Sequence, residues 1–222
     1  MRIYKRLTLL CGHYGSGKTN VAVNMAYELR QQHDRTAIAD LDIVNPYFRS
    51  KDSAAEFARR DIRLICSEYA NTNVDIPAMP AEMYALLDDR ELYAVIDVGG
   101  DDRGAYALGR LADRIKEENN YEMLMVINRS RPLTPDAVST IEVMREIEAA
   151  GHIPFTGLIN NTNLGEETTA ADVQASLPYA EEVAALSGLP VVMTAVRQEL
   201  YHELDGKIPH LFPLQLQEKT FL

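Results

Sequence analysis

The sequence is short of cysteine, tryptophan and long apolar runs, and each shortage excludes a class of protein. Its 222 residues include two cysteines, Cys11 and Cys66, and no tryptophan. Each cysteine ends an apolar run, so the pair predicts free thiols in a reducing cytoplasm rather than a disulfide framework or a metal site. No apolar run approaches the ~20 residues that a membrane-spanning helix needs. We therefore expect a cytoplasmic protein without a membrane partner, and the first residues predict no secretory signal because they lack a cleavage site.

Basic residues are also in short supply. The chain has 22 lysines and arginines against 33 aspartates and glutamates, and its formal net charge is −11. A surface that binds nucleic-acid phosphates is expected to be basic, so this balance argues against DNA or RNA as a partner. Hydrophobic residues make up 46% of the chain, which is enough for a large core. The composition favours a cytoplasmic enzyme or switch protein.

Short apolar runs alternate with longer helix-like segments. Runs of four to eight residues rich in Val, Ile and Leu predict strands buried on both faces of a sheet. The predicted strands are 7–11, 36–41, 62–66, 93–98, 123–128, 155–160 and 191–195. The predicted helices cover about 17–32, 52–60, 79–89, 103–118, 135–150, 168–187 and 197–205. This alternation predicts an α/β fold with a doubly wound, mostly parallel sheet of about seven strands and helices on both faces.

The domain organisation is simple. The sequence contains no internal repeat, low-complexity tract or linker, so we expect a single domain over residues 1–222. Pro209 and Pro213, after Gly206, predict an irregular C-terminal extension from about residue 206. Within the domain, the tripeptide 134–136 (Thr-Pro-Asp) predicts an N-cap followed by proline at the first helical position.

The most informative motif is the stretch GHYGSGKT at 12–19, which fits the pattern G-x-x-x-x-G-K-[ST] in full. A predicted strand precedes it and a predicted helix follows it, as in a phosphate-binding loop. The glycines let backbone N–H groups approach phosphates at the positive end of the helix. Lys18 is the residue type that contacts the β- and γ-phosphates, and the Thr19 hydroxyl is a ligand for Mg²⁺. The residues predicted to bind the nucleotide here are Gly12, His13, Tyr14, Gly15, Ser16, Gly17, Lys18, Thr19 and Asn20.

Carboxylates follow two of the predicted strands. Asp40 and Asp42 end the second strand in the order Asp-x-Asp, and Asp97 ends the fourth within Asp-x-x-Gly, which closes at Gly100. Ligands of open parallel sheets lie at the carboxyl ends of strands, and a buried carboxylate is costly unless it is paired. We therefore expect these acids to meet a cation near the phosphate loop.

Together these motifs resemble the MinD/ParA/Mrp branch of P-loop ATPases, in the SIMIBI class. The resemblance includes the segment VAVNMAYELRQQ at 21–32 and covers nearly the whole chain in element order. It implies catalytic roles for Lys18 and Asp42, with Asp42 orienting the attacking water. It also implies a Mg²⁺ site formed with Thr19, in which Asp40 and Asp42 belong to the shell of the metal and Asp97 contacts it through water. Gly100 would let a backbone N–H approach the γ-phosphate.

One position departs from the resembling group. Its members carry a signature lysine within K-G-G-x-G-K-[ST], which reaches the phosphates of a partner chain in a nucleotide-sandwich dimer. His13 holds that place here, and Tyr14 replaces the first glycine of the pair. A protonated His13, Arg49 or Arg103 are candidates to replace the lysine, and the alternative is that His13 is a solvent-facing loop residue.

The sequence also bears on the choice of base. The guanine-binding signature N-K-x-D is absent, because the stretch NRSR at 128–131 lacks both the lysine and the aspartate. The stretch GLINN at 157–161 resembles the family's G-x-x-x-N strand end, and the resemblance implies that Asn161 contacts adenine. The alternative is that these asparagines form a turn. We expect ATP rather than GTP.

Three functions are consistent with these residues. The first is a Mg²⁺-dependent ATP-hydrolysing switch, in which the segments 42–52 and 99–104 order around ATP and act on a protein partner or a second copy. The second is a small-molecule kinase or ATP-dependent ligase, with Arg49, Lys51, Arg129 and Arg131 contacting an anionic substrate. The third is a nucleotide-binding module without turnover. The intact Lys18, Thr19, Asp42 and Asp97 argue against the third, and we expect the first.

Overall fold

The computed structural model describes residues 2–41, 51–66, 81–100 and 102–216. Among these residues, no helix combines the length and the apolar character needed to cross a bilayer. A short 3-10 helix covers Gly165–Glu167. The strands are β1 (Leu7–Cys11), β2 (Thr36–Leu41), β3 (Ile62–Cys66), β4 (Tyr93–Val98), β5 (Tyr121–Ile127), β6 (Gly157–Asn160), β7 (Val191–Arg197) and β8 (Leu211–Leu214). The helices are α1 (Lys18–Gln32), α2 (Lys51–Arg59), α3 (Ala81–Asp88), α4 (Asp102–Gly109), α5 (Ala112–Glu118), α6 (Ala137–Gly151), α7 (Ala170–Ala175), α8 (Leu177–Ser187) and α9 (Gln198–Leu204).

The described strands form one sheet in the order β3-β2-β4-β1-β5-β6-β7-β8. Every neighbouring pair in this sheet is parallel. This confirms the predicted α/β class and doubly wound sheet, with eight strands instead of about seven. Because β1 lies between β4 and β5, the segments that leave these three strands emerge side by side at one edge of the sheet.

Helices cover both faces of the sheet, as the continuous apolar strands require. Along β1, Leu7, Leu9 and Cys11 pack into one core cluster while Leu10 packs into the opposite one. The first cluster is closed by helices α3, α4, α5, α6 and α8. The second is closed by α1, through residues such as Met25, and by α2. Because its successive side chains pack into opposite clusters, β1 is held from both faces of the sheet. This fixes where the following loop begins.

Two of the predicted helices are each divided. The helix expected over 103–118 is α4 followed by α5, and the break lies at Gly109, where a Cβ would be 2.9 Å from the Ala150 carbonyl oxygen of α6. The helix expected over 168–187 is α7 followed by α8, because Pro178 has no N–H and takes the first turn of a new helix.

The start of α6 also differs from the expectation. Asp136, not Thr134, caps this helix, and its carboxylate accepts a hydrogen bond from the Ser139 N–H at 2.9 Å. The Thr134 hydroxyl instead donates to the Asn128 carbonyl oxygen at 2.9 Å. Thr134 therefore holds the segment after β5. The sequence predicted that the helix begins at Pro135, whereas α6 begins two residues later, at Ala137.

The structure corrects the expectation of an irregular extension from residue 206. Residues Leu211–Leu214 form β8, parallel to β7 at the edge of the sheet, where Pro213 is tolerated because an edge strand can lack a donor. The next residue is held by helix α1: the Gln215 N–H donates to Asn24 Oδ1 at 2.9 Å, and Asn24 Nδ2 donates to the Gln215 carbonyl oxygen at 3.1 Å. The end of the described chain is therefore part of the sheet and its helical layer.

Candidate nucleotide-binding site

The loop Gly12–Thr19 connects β1 to α1, and close packing makes glycine necessary in it. At Gly12, with φ +146°, a Cβ would lie 2.5 Å from the Val126 carbonyl oxygen of β5. At Gly17, with φ +88°, a Cβ would lie 2.3 Å from Asn161 Nδ2. Side chains fit neither position, so the two glycines let the loop bend tightly against β5 and the end of β6.

The start of α1 is suited to an anion. Gly17 is its N-cap residue in the left-handed conformation, no side chain of the described chain caps it, and its first turn has no acidic residue. The N–H groups of a first helical turn have no partner within the helix and carry a partial positive charge. Ser16, immediately before the N-cap residue, is buried, and its Oγ has no hydrogen-bond partner among the described residues. A phosphate group would satisfy both the hydroxyl and the N–H groups.

The Lys18 side chain folds back over the loop. Its ammonium group donates to the His13 carbonyl oxygen at 3.3 Å, and the residue is only 7% exposed. A Cβ on Gly100, beyond the end of β4, would lie 2.9 Å from Lys18 Nζ and 2.6 Å from the Tyr14 backbone nitrogen. The structure thus brings together the predicted lysine and the predicted glycine of the Asp-x-x-Gly motif.

Two buried carboxylates lie on neighbouring strands, and one of them contacts the same helix start. The Thr19 hydroxyl donates to Asp97 Oδ2 at 2.6 Å, and Asp97 is 2% exposed. Asp40, which is 5% exposed, is the register partner of Asp97 on the neighbouring strand β2. Neighbouring buried carboxylates repel each other, and a divalent cation with oxygen ligands relieves that repulsion. The hydroxyl and the two carboxylates fit a Mg²⁺ site beside a bound phosphate.

Several predicted residues lie outside this description. Asp42 and Arg49 are outside the described residues, as is most of the segment 42–52. The backbones of Lys51 and Arg103 belong to α2 and α4, and their side chains are not described. The predicted roles of these four residues stay predictions.

Cys11, at the end of β1, is a neutral neighbour of the site. Burial raises the pKa of its thiol to about 12, while the nearby Lys18 lowers this pKa and Asp97 raises it. The thiol therefore stays protonated at physiological pH and adds no negative charge next to the loop. The other cysteine, Cys66, is in no disulfide within the described residues and, unlike the buried thiol expected, is only partly buried.

Asn161 is placed differently from a residue that faces a base. Its Nδ2 donates to the Ser16 carbonyl oxygen at 2.7 Å, and the residue is 2% exposed. Its own carbonyl oxygen accepts a hydrogen bond from Asn163 Nδ2 at 2.6 Å. In this structure Asn161 holds the phosphate loop, and its contact with adenine stays a prediction.

His13 and Tyr14 occupy the outer side of the loop. The His13 ring nitrogen Nδ1 lies 2.9 Å from the Tyr14 carbonyl oxygen, within hydrogen-bond distance. The Tyr14 side chain is 64% exposed. Both residues therefore contribute their backbone to the site, while Asn20 lies in the first turn of α1, with its carbonyl oxygen bonded to Asn24 Nδ2 at 2.8 Å.

Sequence reasoning missed the organising role of Asn128, which follows β5 and is fully buried. Its Oδ1 accepts hydrogen bonds from the N–H groups of Ser130 at 3.0 Å and Asn163 at 3.4 Å. Its Nδ2 donates to the Asn163 carbonyl oxygen at 3.4 Å. A polar residue directly after a buried strand is the only sequence signal for it, and it joins the segments after β5 and β6 around the phosphate loop.

A phosphate loop between the first strand and first helix of a parallel sheet, with a hydrogen-bonded threonine–aspartate pair beside it, defines a P-loop nucleotide-binding protein. Comparison with protein families narrows the class. Residues 12–188 match the CbiA family, described as the CobQ/CobB/MinD/ParA nucleotide-binding domain. The chain belongs to this family.

Solved structures share the fold at low sequence identity. FtsY of the chloroplast of Physcomitrella patens is 15% identical with a TM-score of 0.54, and the match covers 87% of this chain and 59% of that one. The signal recognition particle 54 kDa protein of Aeropyrum pernix, solved with GDP, is 18% identical with a TM-score of 0.54, over 87% of this chain and 42% of that one. FlhF with GTP/Mg²⁺ is 15% identical with a TM-score of 0.52, over 86% and 66%.

This chain spans about three fifths of the length of the FtsY structures it matches. A search of the curated proteins found no match.

Proposed function

We propose that this chain binds ATP with Mg²⁺ at the loop 12–19, hydrolyses it, and presents its nucleotide state to a protein partner or a second copy. The observation that carries the proposal is the 2.6 Å hydrogen bond from the Thr19 hydroxyl to Asp97, beside the folded-back Lys18. It pairs a predicted metal ligand with a predicted metal-shell acid at an uncapped helix start. Family membership supports nucleotide binding at this place.

Each residue has a defined task in this proposal. Lys18 contacts the β- and γ-phosphates, while Thr19 and Asp97, with Asp40 and Asp42, hold the metal and its water shell. When bound, Mg²⁺ supplies positive charge that offsets the charge of the phosphates. Asp42 orients the attacking water, and the backbone of Gly100 approaches the γ-phosphate next to Tyr14.

ATP is the nucleotide we propose. The proteins FlhF and the 54 kDa protein were solved with GTP and GDP, but they share only the fold with this chain. This chain lacks the N-K-x-D guanine signature at 128–131, where its sequence is NRSR. Discrimination against GTP therefore has to come from other residues, and the adenine contact that the resemblance implies for Asn161 competes with the hydrogen bond of this side chain to the Ser16 carbonyl oxygen.

The partner we propose is a protein rather than a nucleic acid or a membrane. A net charge of −11 is unfavourable for contact with a phosphate backbone or an anionic lipid surface. Three exposed apolar side chains lie on the segments around the phosphate loop, namely Tyr14, Leu133 and Leu164. Single exposed apolar side chains are common on protein surfaces, so the support here is their position on three segments that border the nucleotide site.

The test is a titration of the purified chain with ATP and GTP, each with Mg²⁺ or with EDTA, followed by measurement of phosphate release. We expect ATP to bind more tightly than GTP, and Mg²⁺ to tighten ATP binding. Lys18→Ala should abolish phosphate-dependent binding, while Lys207→Ala, which removes an exposed lysine of the C-terminal region, should not change it.

Asp97→Asn tests the metal site in the same titration. It removes the carboxylate charge next to the Thr19 hydroxyl and should remove most of the tightening by Mg²⁺ while keeping binding in EDTA. Unchanged ATP affinity in Lys18→Ala, or full Mg²⁺ dependence in Asp97→Asn, would refute the assignment of the site.

A further inference from the structure

Arg131, in the segment between β5 and α6, lies directly against the phosphate loop. A Cβ built on Gly15 would be 3.6 Å from Arg131 Nε, 3.7 Å from Cδ and 3.8 Å from Cζ. The strand order explains this contact, because β5 is the direct neighbour of β1, with Cys11 opposite Met125. The segments leaving the two strands therefore run side by side, and the guanidinium group is placed over the loop.

The backbone around Arg131 is held in a hydrogen-bonded turn. The Arg131 N–H donates to the Asn128 carbonyl oxygen at 3.2 Å, and the Thr134 N–H donates to the Arg131 carbonyl oxygen at 3.2 Å. The Thr134 hydroxyl and the buried Asn128 side chain close the same turn. The position of Arg131 thus follows from a buried network rather than from a free loop.

The guanidinium group lacks an anionic partner in the described chain. Arg131 Nε is buried and has no hydrogen-bond partner among the described residues. No ion pair within this part of the protein involves Arg131. A buried guanidinium N–H without an acceptor is costly, and a phosphate oxygen is the acceptor that its planar donor set matches best.

We propose that Arg131 contacts the phosphate chain of the nucleotide bound by its own chain. This inference rests on the proposed function. It places a second positive charge beside Lys18 on the loop whose signature-lysine position holds His13. Because Arg131 packs against Gly15 of the same chain, it supplies this charge without a second copy.

Arg129 provides a matched control two residues earlier in the same turn. Its Nη1 donates to the Ala175 carbonyl oxygen at the end of α7, at 3.3 Å. It therefore has the same charge and nearly the same sequence position as Arg131 but a different contact. Arg129→Ala therefore removes the same positive charge as Arg131→Ala, but it leaves the contact between Arg131 and Gly15 in place.

The experiment compares ADP and ATP affinities of the wild type, Arg131→Ala, Arg131→Lys and Arg129→Ala, all as the full chain. Loss of one charge-assisted contact to phosphate should weaken ADP and ATP binding by about tenfold to a hundredfold in Arg131→Ala. Arg131→Lys should recover part of the loss, and Arg129→Ala should bind like the wild type. Melting temperatures without nucleotide identify any variant whose fold is damaged, and for such a variant Arg131→Gln replaces Arg131→Ala.

The outcomes separate this inference from the proposed function. If Arg131→Ala and Arg129→Ala both bind ADP and ATP with the affinity of the wild type, the role of Arg131 is overturned and the proposed function stands. A wild type that binds neither nucleotide would overturn the proposed function itself. The affinity ratio between wild type and Arg131→Ala should also be the same in dilute and concentrated protein, and a ratio that grows with protein concentration would overturn the assignment to the chain's own nucleotide.

Discussion

At the scale of single residues, Gly100, which follows β4, lies in close contact with the phosphate loop. A Cβ on Gly100 would lie 2.6 Å from the Tyr14 backbone nitrogen and 2.8 Å from its Cα. Backbone atoms in a tight loop move less readily than the end of a flexible side chain. We predict that Gly100→Ala displaces the loop and lowers ATP affinity at least about tenfold, measured by titration with Mg²⁺.

Gly206→Ala is the control for the added methyl group. Gly206 has φ +75°, and a Cβ there would meet no atom within 4 Å. Alanine at such a φ costs roughly 1 kcal/mol of stability, so this variant should melt earlier but bind ATP normally. Normal ATP binding by Gly100→Ala would contradict the prediction, because it would mean that the loop accommodates the added methyl group without loss of affinity.

Asn161 allows a second test at the same scale. Its Nδ2 is bonded to the Ser16 carbonyl oxygen, so Asn161→Ala should weaken ATP and GTP binding by the same factor, about fivefold for a net loss of ~1 kcal/mol. The ratio of the two affinities is the internal control. A loss confined to ATP would instead establish the adenine contact that the resemblance implies.

At the scale of elements, the first turn of α6 makes stability depend on pH. Hydrogen bonds from Ser139, the backbone N–H foremost, lower the pKa of Asp136 below its usual value. A carboxyl whose pKa is lower in the folded state stabilises the fold above its unfolded pKa of about 3.9, and this stabilisation disappears as the pH falls through the folded value. Asp136→Ala should therefore lower Tm at pH 7, and its difference from wild type should shrink below about pH 4.

Asp136→Asn keeps a capping side chain without the titrating group. Its Tm at pH 7 should stay close to that of the wild type, because asparagine is also a good N-cap residue. A Tm difference between wild type and Asp136→Ala that is the same at pH 7 and pH 3 would contradict a capping role for the ionised carboxylate.

The elements themselves show what sequence patterns can and cannot predict. The predicted bounds of β1 to β4 agree with the structure, because each is a short, mostly apolar run between polar turns. Strand β8 was missed, since Leu-Phe-Pro-Leu is short and contains Pro213, which is acceptable only at an edge. The break between α4 and α5 follows Gly109, a residue that is unfavourable inside a helix and whose close approach to α6 the sequence does not report.

At the scale of the whole molecule, bound nucleotide should stabilise the fold. ATP at a hundred times its Kd adds about 2.7 kcal/mol to the free energy of unfolding, which corresponds to a rise in Tm of roughly 5 to 10 °C for a chain of this size. We predict this rise with ATP and Mg²⁺, measured by scanning calorimetry. Lys18→Ala should melt at the same temperature with and without ATP, and Lys207→Ala should keep the rise.

The parts of the candidate site that are consecutive in sequence were predictable. The parts that depend on which strands are neighbours were not. The loop 12–19 was identified from its pattern, and the structure brings Thr19, Asp97 and Gly100 to it. The contact between Arg131 and this loop arises because β5 pairs with β1, a neighbour relation that the sequence alone does not report.

The edge of the sheet at β8 has a consequence for how molecules of this protein meet each other. An open strand edge is a template for pairing with another chain, and pairing of this kind leads to aggregation. Strand β8 has four residues, Pro213 among them has no N–H, and the N–H and carbonyl groups of the following Gln215 are both occupied by Asn24. A second molecule therefore finds few groups to pair with, so this edge protects the concentrated protein from forming intermolecular sheets.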